Sequence, residues 1–224
     1  MDRVSVNIAS IPSRVDLVVE TIHSVIDQCD RINLMLNGYK VNPYPHPKVN
    51  AIYLNNEKGD AAKFFCCNSE DGYMLFLDDD LTVTETYVAD MIKAIDEYGI
   101  VTHHGRTFLG FPINSYYKDP CLKFRCLSEN KDLRIVQFAG TGCLGFHTDT
   151  IRPQLSWFKR KNLADIWFSI NCDRLKLPIY VLPHESDYFG YLNPESTIWD
   201  TEVKDDSFQT RAVNEYFEGK DIVL

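Results

Sequence analysis

The chain has 224 residues, of which 45% are hydrophobic and 25% charged, an ordinary globular composition able to bury one substantial core. With 23 Lys and Arg against 32 Asp and Glu, the formal charge of −9 excludes a generally basic nucleic-acid surface; an anionic ligand therefore needs local cations or a metal. Apolar runs such as Tyr73 to Leu77 and Ile179 to Leu182 fall far short of the roughly 20 residues that cross a bilayer, so no membrane span is expected.

Met1-Asp2-Arg3-Val4 enters strand-like alternation at once, which predicts no secretory signal and a cytoplasmic location. Val4 to Ala9 reads as a strand. Val15, Val18, Val19, Ile22, Val25, Ile26 and Cys29 then form a helical stripe, with Ser13 as its expected N-cap and Asp16 favourable in the first turn. Ile32 to Leu36 is a second strand ended by Asn37-Gly38, and the proline-rich stretch from Val41 to Lys48 is a loop. A third strand at Ala51 to Leu54 precedes a predicted helix from about Gly59 to Asn68. The strand Tyr73 to Leu77 follows, then a helix from about Glu85 to Tyr98 with Val88, Met91, Ile92 and Ile95 on its buried face. Thr82 and Glu85 have the spacing of a capping box.

The second half changes character. Thr107 to Arg134 is aromatic and irregular, whereas Ile135 to His147 reads as strand around the turn Gly140-Thr141-Gly142. Asn162 to Leu175 has helical spacing, Ile179 to Leu182 is a short strand, and Asp206 to Phe217 is a weaker amphipathic helix. Seven cysteines without a CxxC pair fit free, mostly buried thiols better than disulfides or a zinc site. Strand and helix alternate through residue 105, which predicts a parallel sheet covered on both faces, with ligands beyond the strand C-termini.

The segment with most chemical content is Tyr73-Met-Leu-Phe-Leu-Asp78-Asp79-Asp80. An apolar strand delivers three acids to its C-terminal end, where mutual repulsion is costly without solvent or a cation. Asp78 and Asp80 stand two apart and can address one side. Oxygen donors favour Mg²⁺ or Mn²⁺, ions that share their coordination with substrate phosphates. A solvated turn also accepts such a cluster.

In order and spacing, three segments resemble the GT-A nucleotide-sugar glycosyltransferases, especially compact relatives of family 2. They are Ala9-Ser10-Ile11-Pro12-Ser13-Arg14, Asn55-Asn56-Glu57-Lys58-Gly59-Asp60-Ala61-Ala62-Lys63, and the acidic triplet. The resemblance continues through Asn162 to Phe168 and covers most of residues 3 to 200; a similar small domain occurs in glycosyltransferases of large algal viruses. It implies an α/β, Rossmann-like GT-A fold: a mostly parallel central sheet, helices on both faces, and a smaller mixed region. The expected organisation is one domain over 1–224, with a nucleotide-binding half at 1–105 and an acceptor-side half at 106–224.

The resemblance implies a hexosyl- or deoxyhexosyltransferase that uses Mn²⁺ or Mg²⁺ and takes a nucleoside diphosphate sugar, with a UDP-sugar the expected donor. Its acceptor would be a glycan or glycoconjugate. Asp78 and Asp80 would lie at the donor's ribose, metal and diphosphate, with Asp80 the direct metal ligand and Asp79 beside them. Ala9, Ile11, Pro12 and Asn37 match the nucleotide-contacting edge, although Asn37 stands where an acid is common. Arg14, Lys58 and Lys63, with Gly59, would add donor contacts; each cation also fits a solvated surface position. Asp165 is the candidate catalytic carboxylate, a base for the attacking hydroxyl or, more blandly, a helix-terminal charge. The family's acidic pair is here Ala164-Asp165, so only the second position carries over. His184 is a candidate further metal ligand or a polar surface residue.

Adjacent His103-His104 are poorly placed to share a metal, because neighbours on a strand face opposite ways. Tyr116-Tyr117, Trp157-Phe158 and Trp199 fit either a sugar-stacking surface or core packing. Gln209-Thr210-Arg211 matches only the Gln and Arg of a processive-synthase motif whose tryptophan and membrane segments are missing, so polymerisation is not expected. The triplet with Leu81-Thr82 also matches a haloacid-dehalogenase-like phosphatase, with Asp78 as nucleophile and Asp80 as acid/base, although that motif normally closes the first strand. A non-catalytic carbohydrate- or nucleotide-binding module and a nucleotidyltransferase are further alternatives.

Overall fold

A computed structural model describes residues 2–195, 197 and 202–218. The first half runs β1 (Val4–Ser10), α1 (Val15–Val25), β2 (Arg31–Asn37), β3 (Val49–Leu54), β4 (Tyr73–Leu77), β5 (Leu81–Val83), α2 (Tyr87–Tyr98) and β6 (Ile100–Thr102). The second runs β7 (Gly105–Phe108), β8 (Cys121–Phe124), β9 (Arg134–Val136), β10 (Phe138–Ala139), β11 (Cys143–His147), α3 (Ala164–Arg174), β12 (Ile179–Val181), β13 (Phe189–Tyr191) and α4 (Ser207–Phe217).

Eight strands form the central sheet in the order β3-β2-β1-β4-β11-β6-β12-β9. The run β3-β2-β1-β4 and the pair β6-β12 are parallel, so the sheet is mostly parallel, as expected. β11 enters antiparallel between β4 and β6, so both halves of the chain build one sheet. Two small sheets, β10-β7-β8 and β13-β5, stand beside it.

Alternation along the strands supplies a core on each face. Leu75 and Leu77 of β4 join Val6 and Ile8 of β1 under α1 and α2, while Met74 and Phe76 point the other way, into a cluster with Phe64, Phe146, Phe158 and Phe168. α1 buries Val18, Ile22 and Val25, and α2 buries Val88, Met91 and Ile95, as their periodicity predicts. All seven cysteines are free, and all but Cys121 are buried.

Local expectations fail at three places. Ser13 lies inside a single 3₁₀ turn, Pro12–Arg14, and does not cap α1; proline fixes the backbone one turn earlier than an N-cap requires. Thr82 belongs to β5, where pairing with Gly190 of β13 outweighs the local capping box, and α2 starts at Tyr87. The predicted helix from Gly59 to Asn68 is only a 3₁₀ segment, Gly59–Phe64, entered through Gly59 at φ +56°.

Candidate active site

β1 pairs with β2 on one side and β4 on the other, so the C-terminal end of β1 is a topological switch point, the place where ligands of open α/β sheets bind. The acidic triplet begins at the residue after β4, at that edge. Asp78 is held at both ends: its N–H donates to the Gly142 carbonyl at 3.0 Å, and its Oδ1 accepts from the Lys63 ammonium. A Cβ at Gly142 would overlap the Asp78 carboxylate, so any other residue there would displace that side chain. Arg14 reaches from the turn after β1, with Nη1 2.6 Å from Asp79 Oδ1 and 3.3 Å from Asp80 Oδ2.

Three carboxylates thus meet two cations. Burial alone would raise the Asp78 carboxyl, but Lys63 and Arg14 outweigh it and hold the group below the ordinary range. Asp79 is raised by burial despite Arg14. Asp80 is pushed up to about 7 by burial and by the charges of Asp78 and Asp79, which makes it the least compensated of the three. Burial would lower Lys63, yet Asp78 keeps it charged and its proton held more tightly than usual.

Asp165 lies in the first turn of α3 and acts electrostatically on Lys63. Its Oδ1 accepts from both the Thr141 N–H at 2.8 Å and the Thr141 hydroxyl at 2.7 Å. The helix that carries it is capped from a distance, because Asp60 Oδ2 accepts from the Ala164 N–H at 3.1 Å. Burial pushes Asp60 up to about 7 against the pull of Lys63, and its Oδ1 is buried without a hydrogen-bond partner.

The structure therefore brings Arg14, Lys63, Asp78, Asp79 and Asp80 into one cluster, with Asp60 and Asp165 within electrostatic reach of Lys63. Lys63 is 2% exposed, so the surface-cation alternative is excluded for it. Asn37 closes β2, donating from Nδ2 to the Gly59 carbonyl at 3.2 Å while its buried Oδ1 has no partner. Ile11 lines the same edge, its carbonyl accepting from the Tyr39 hydroxyl at 2.7 Å, between Ala9 in β1 and Pro12 in the turn. Lys58 stands further out, with Nζ 3.4 Å from the Leu155 carbonyl.

His184 is buried rather than a surface residue. It packs edge-on to His103 at 5.1 Å, and its Nε2 has no hydrogen-bond partner; no described hydrogen bond joins it to the triplet. Among the described residues, no three His, Cys, Asp or Glu side chains are arranged to hold a metal by themselves. Tyr116 and Phe158 are core residues, Trp157 packs against the core, and Trp199 lies outside the described residues. The phosphatase alternative puts its first acid after the first strand, whereas Asp78 follows β4.

Sequence reasoning missed the roles of Asp60 and Thr141. Asp60 falls within the Asn55 to Lys63 segment and Thr141 within the glycine turn, so both had a local signal.

No protein-family model matches the chain, and no curated protein matches it. Among solved structures, the crystal structure of S. aureus TarS 1-349 in complex with UDP-GlcNAc is similar over 99% of this chain and 68% of that one, with a TM-score of 0.57 at 15% identity. That likeness shows the fold: a GT-A-like, Rossmann-type α/β architecture. No helix among the described residues is long and apolar enough to cross a membrane.

Proposed function

We propose that this protein is a glycosyltransferase that moves a monosaccharide from a nucleoside diphosphate sugar, specifically a UDP-sugar, to a hydroxyl of a glycan or glycoconjugate. The observation that carries the reading is the triplet at the β1/β4 switch point, three carboxylates against two cations, with Asp165 facing it from α3. The similar TarS structure holds UDP-GlcNAc, which supports the same class of donor here.

A divalent cation fits this donor set. The donors are hard oxygens, the local charge is in deficit, and Asp80 is the acid least neutralised by the protein. Asp80 and Asp78 would hold Mn²⁺ or Mg²⁺, which neutralises charge developing on a departing diphosphate. Because among the described residues too few ligands converge to form a closed cage, donor phosphates would complete the coordination. His184, with its unpartnered Nε2, is the remaining candidate ligand.

The chain's own groups have distinct tasks. Arg14 and Lys63 hold the acids in place and add positive potential where the diphosphate binds. Asn37 offers Oδ1 as an acceptor for a nucleobase N–H, the recognition a uracil N3–H needs, and Ala9, Ile11, Pro12, Lys58 and Gly59 border that edge. Asp165, oriented by Thr141, takes the proton of the attacking acceptor hydroxyl.

The test supplies purified protein with a panel of nucleoside diphosphate sugars, Mn²⁺ or Mg²⁺, and acceptor saccharides, and measures release of the nucleoside diphosphate. Cation-dependent release with a UDP-sugar is expected. Pyrophosphate release instead, or a phosphoryl adduct trapped on Asp78, would overturn the reading in favour of nucleotidyl or phosphoryl transfer. A folded Asp80→Ala variant with full transfer would remove that residue from the cation site, and a His184→Ala variant with unchanged Mn²⁺ affinity would do the same for His184.

A further inference from the structure

We propose that Arg106 and Lys123 form an oxyanion subsite beside Asp165, so that the acceptor is an acidic saccharide whose carboxylate or phosphate these two cations hold. The inference rests on the reading of Asp165 as the base that receives the acceptor.

β7 and β8 pair antiparallel with Arg106 directly opposite Lys123. Like charges at facing positions repel, and a strand pair keeps them together only with compensation. Neither side chain makes an ion pair among the described residues. Each instead donates to a backbone carbonyl of the neighbouring loop: Arg106 Nη1 to Tyr116 at 2.9 Å, and Lys123 Nζ to Tyr117 at 3.3 Å. The guanidinium lies 4.3 Å over the Tyr116 ring and 5.5 Å from that of Tyr117, which fixes its plane and desolvates one face. A guanidinium carries five N–H donors, and one bond to Tyr116 leaves most of the fork unused.

β10 pairs with β7 with Phe138 opposite Arg106, and it is tied to α3 where the Ala139 N–H donates to Ser169 Oγ, which in turn donates to the Asp165 carbonyl; Asp165 acts electrostatically on Arg106, Tyr116 and Tyr117. Asp165 is already engaged by Thr141. Arg106 is therefore a largely desolvated cation with no ion pair among the described residues, and such a charge is costly. A carboxylate or phosphate matches the guanidinium fork in shape and sign.

A third group argues for a saccharide over a bare anion. Gln209 of α4 is 1% exposed, donates from Nε2 to Oε2 of Glu202, and leaves its buried Oε1 without a hydrogen-bond partner. That oxygen is an acceptor for a hydroxyl. An oxyanion fork, a hydroxyl acceptor and the half-buried ring of Tyr117 together describe an acidic sugar, set beside the carboxylate that activates its neighbouring hydroxyl.

The test is ligand-observed saturation-transfer NMR with methyl glucuronide, glucose 6-phosphate and neutral methyl glucoside, with and without saturating UDP and Mg²⁺. Saturation of either acidic probe, and none of the neutral one, is expected; the stronger of the two identifies the oxyanion as carboxylate or phosphate. Arg106→Gln should weaken the acidic probe about tenfold or more, and Arg106→Lys should restore only part of it, because the charge returns without the fork. Lys123→Gln, on an exposed position of β8, should weaken it about two- to fivefold without disturbing the fold. Asp165→Asn should strengthen it, since a repelling anion is lost. Equal saturation of acidic and neutral probes, no saturation of either acidic probe, or retention of full binding by both Arg106→Gln and Lys123→Gln would overturn the proposal. UDP binding is recorded in the same samples, so failure of the nucleotide-sugar reading is seen separately.

Discussion

The ammonium of Lys63, 2% exposed and carried on the 3₁₀ segment after β3, closes on Oδ1 of Asp78 at the end of β4. This pair ties the glycine-entered 3₁₀ segment to the acid that opens the triplet, so it is both a brace and part of the site. Truncating Lys63 leaves Asp78 among other acids. Lys63→Ala should cost about 1–3 kcal/mol, below the usual figure for a fully buried pair because the Asp78 side chain is 47% exposed. Since the Asp78 carboxyl is held below its ordinary 3.8, its contribution is present above that value and is lost as pH falls below it. Denaturant melts of the parent and variant at pH 7 and pH 3 check both statements; a gap between the two proteins that is as wide at pH 3 as at pH 7 contradicts the assignment.

Asp60 behaves in the opposite sense. Its folded carboxyl is pushed up to about 7 from 3.8, so the folded state binds the proton more tightly and stability falls as pH rises from about 4 to about 7. Asp60→Asn keeps an oxygen to cap Ala164 and removes the charge. The variant should melt several degrees higher than the parent at pH 8 and show a flatter profile between those values. Identical pH slopes in the two proteins would rule this out.

Thr141 makes two hydrogen bonds to one oxygen of Asp165, one from its backbone and one from its hydroxyl. Thr141→Val deletes only the second. Turnover should drop about 10- to 100-fold, the equivalent of losing one bond to a charged group, with donor affinity unchanged. Asp165→Asn should lower turnover by about 10²- to 10⁴-fold, again without loss of donor binding. Steady-state kinetics alongside donor titration separate the two quantities, and a matching loss of donor affinity in Thr141→Val would refute the positioning role.

Chelation tests the oxygen donors directly. UDP affinity of the parent should fall at least tenfold when EDTA replaces Mn²⁺, whereas Asp80→Asn should bind UDP equally weakly with and without the metal. Calorimetry in the two buffers gives the answer. Undiminished binding under EDTA would mean that Arg14 and Lys63 suffice for the diphosphate.

Asn37 donates to Gly59 and so keeps Oδ1 directed away from that bond. If that oxygen reads the base, Asn37→Ala should narrow the difference between UDP and CDP affinity to less than about threefold, because uracil offers an N3–H there and cytosine does not. An unchanged ratio would move base recognition elsewhere on the edge.

Period-two alternation in β1 and β2, the apolar run of β4 and the stripes of α1 and α2 were legible because the burial of each of these elements is written locally. The position of Asp78 to Asp80 at a strand end was legible for the same reason. Elements whose form depends on a distant partner were not. Thr82 forms strand through β13, the Gly59 segment tightens under Lys161 and Asn162, and Ser13 yields to the proline before it.

What the amino-acid order determined by itself was the alternating framework and the acids at its edge, since hydrophobic periodicity and strand polarity act over a few residues. Which charges meet was decided only by the folded chain. Lys63 lies 15 residues from Asp78, Arg14 lies 65 from Asp79, Thr141 lies 24 from Asp165, and Arg106 faces Lys123 through an antiparallel register. Electrostatic energy depends on separation and burial in space, quantities that a linear order of residues does not contain until the sheet brings its strands together.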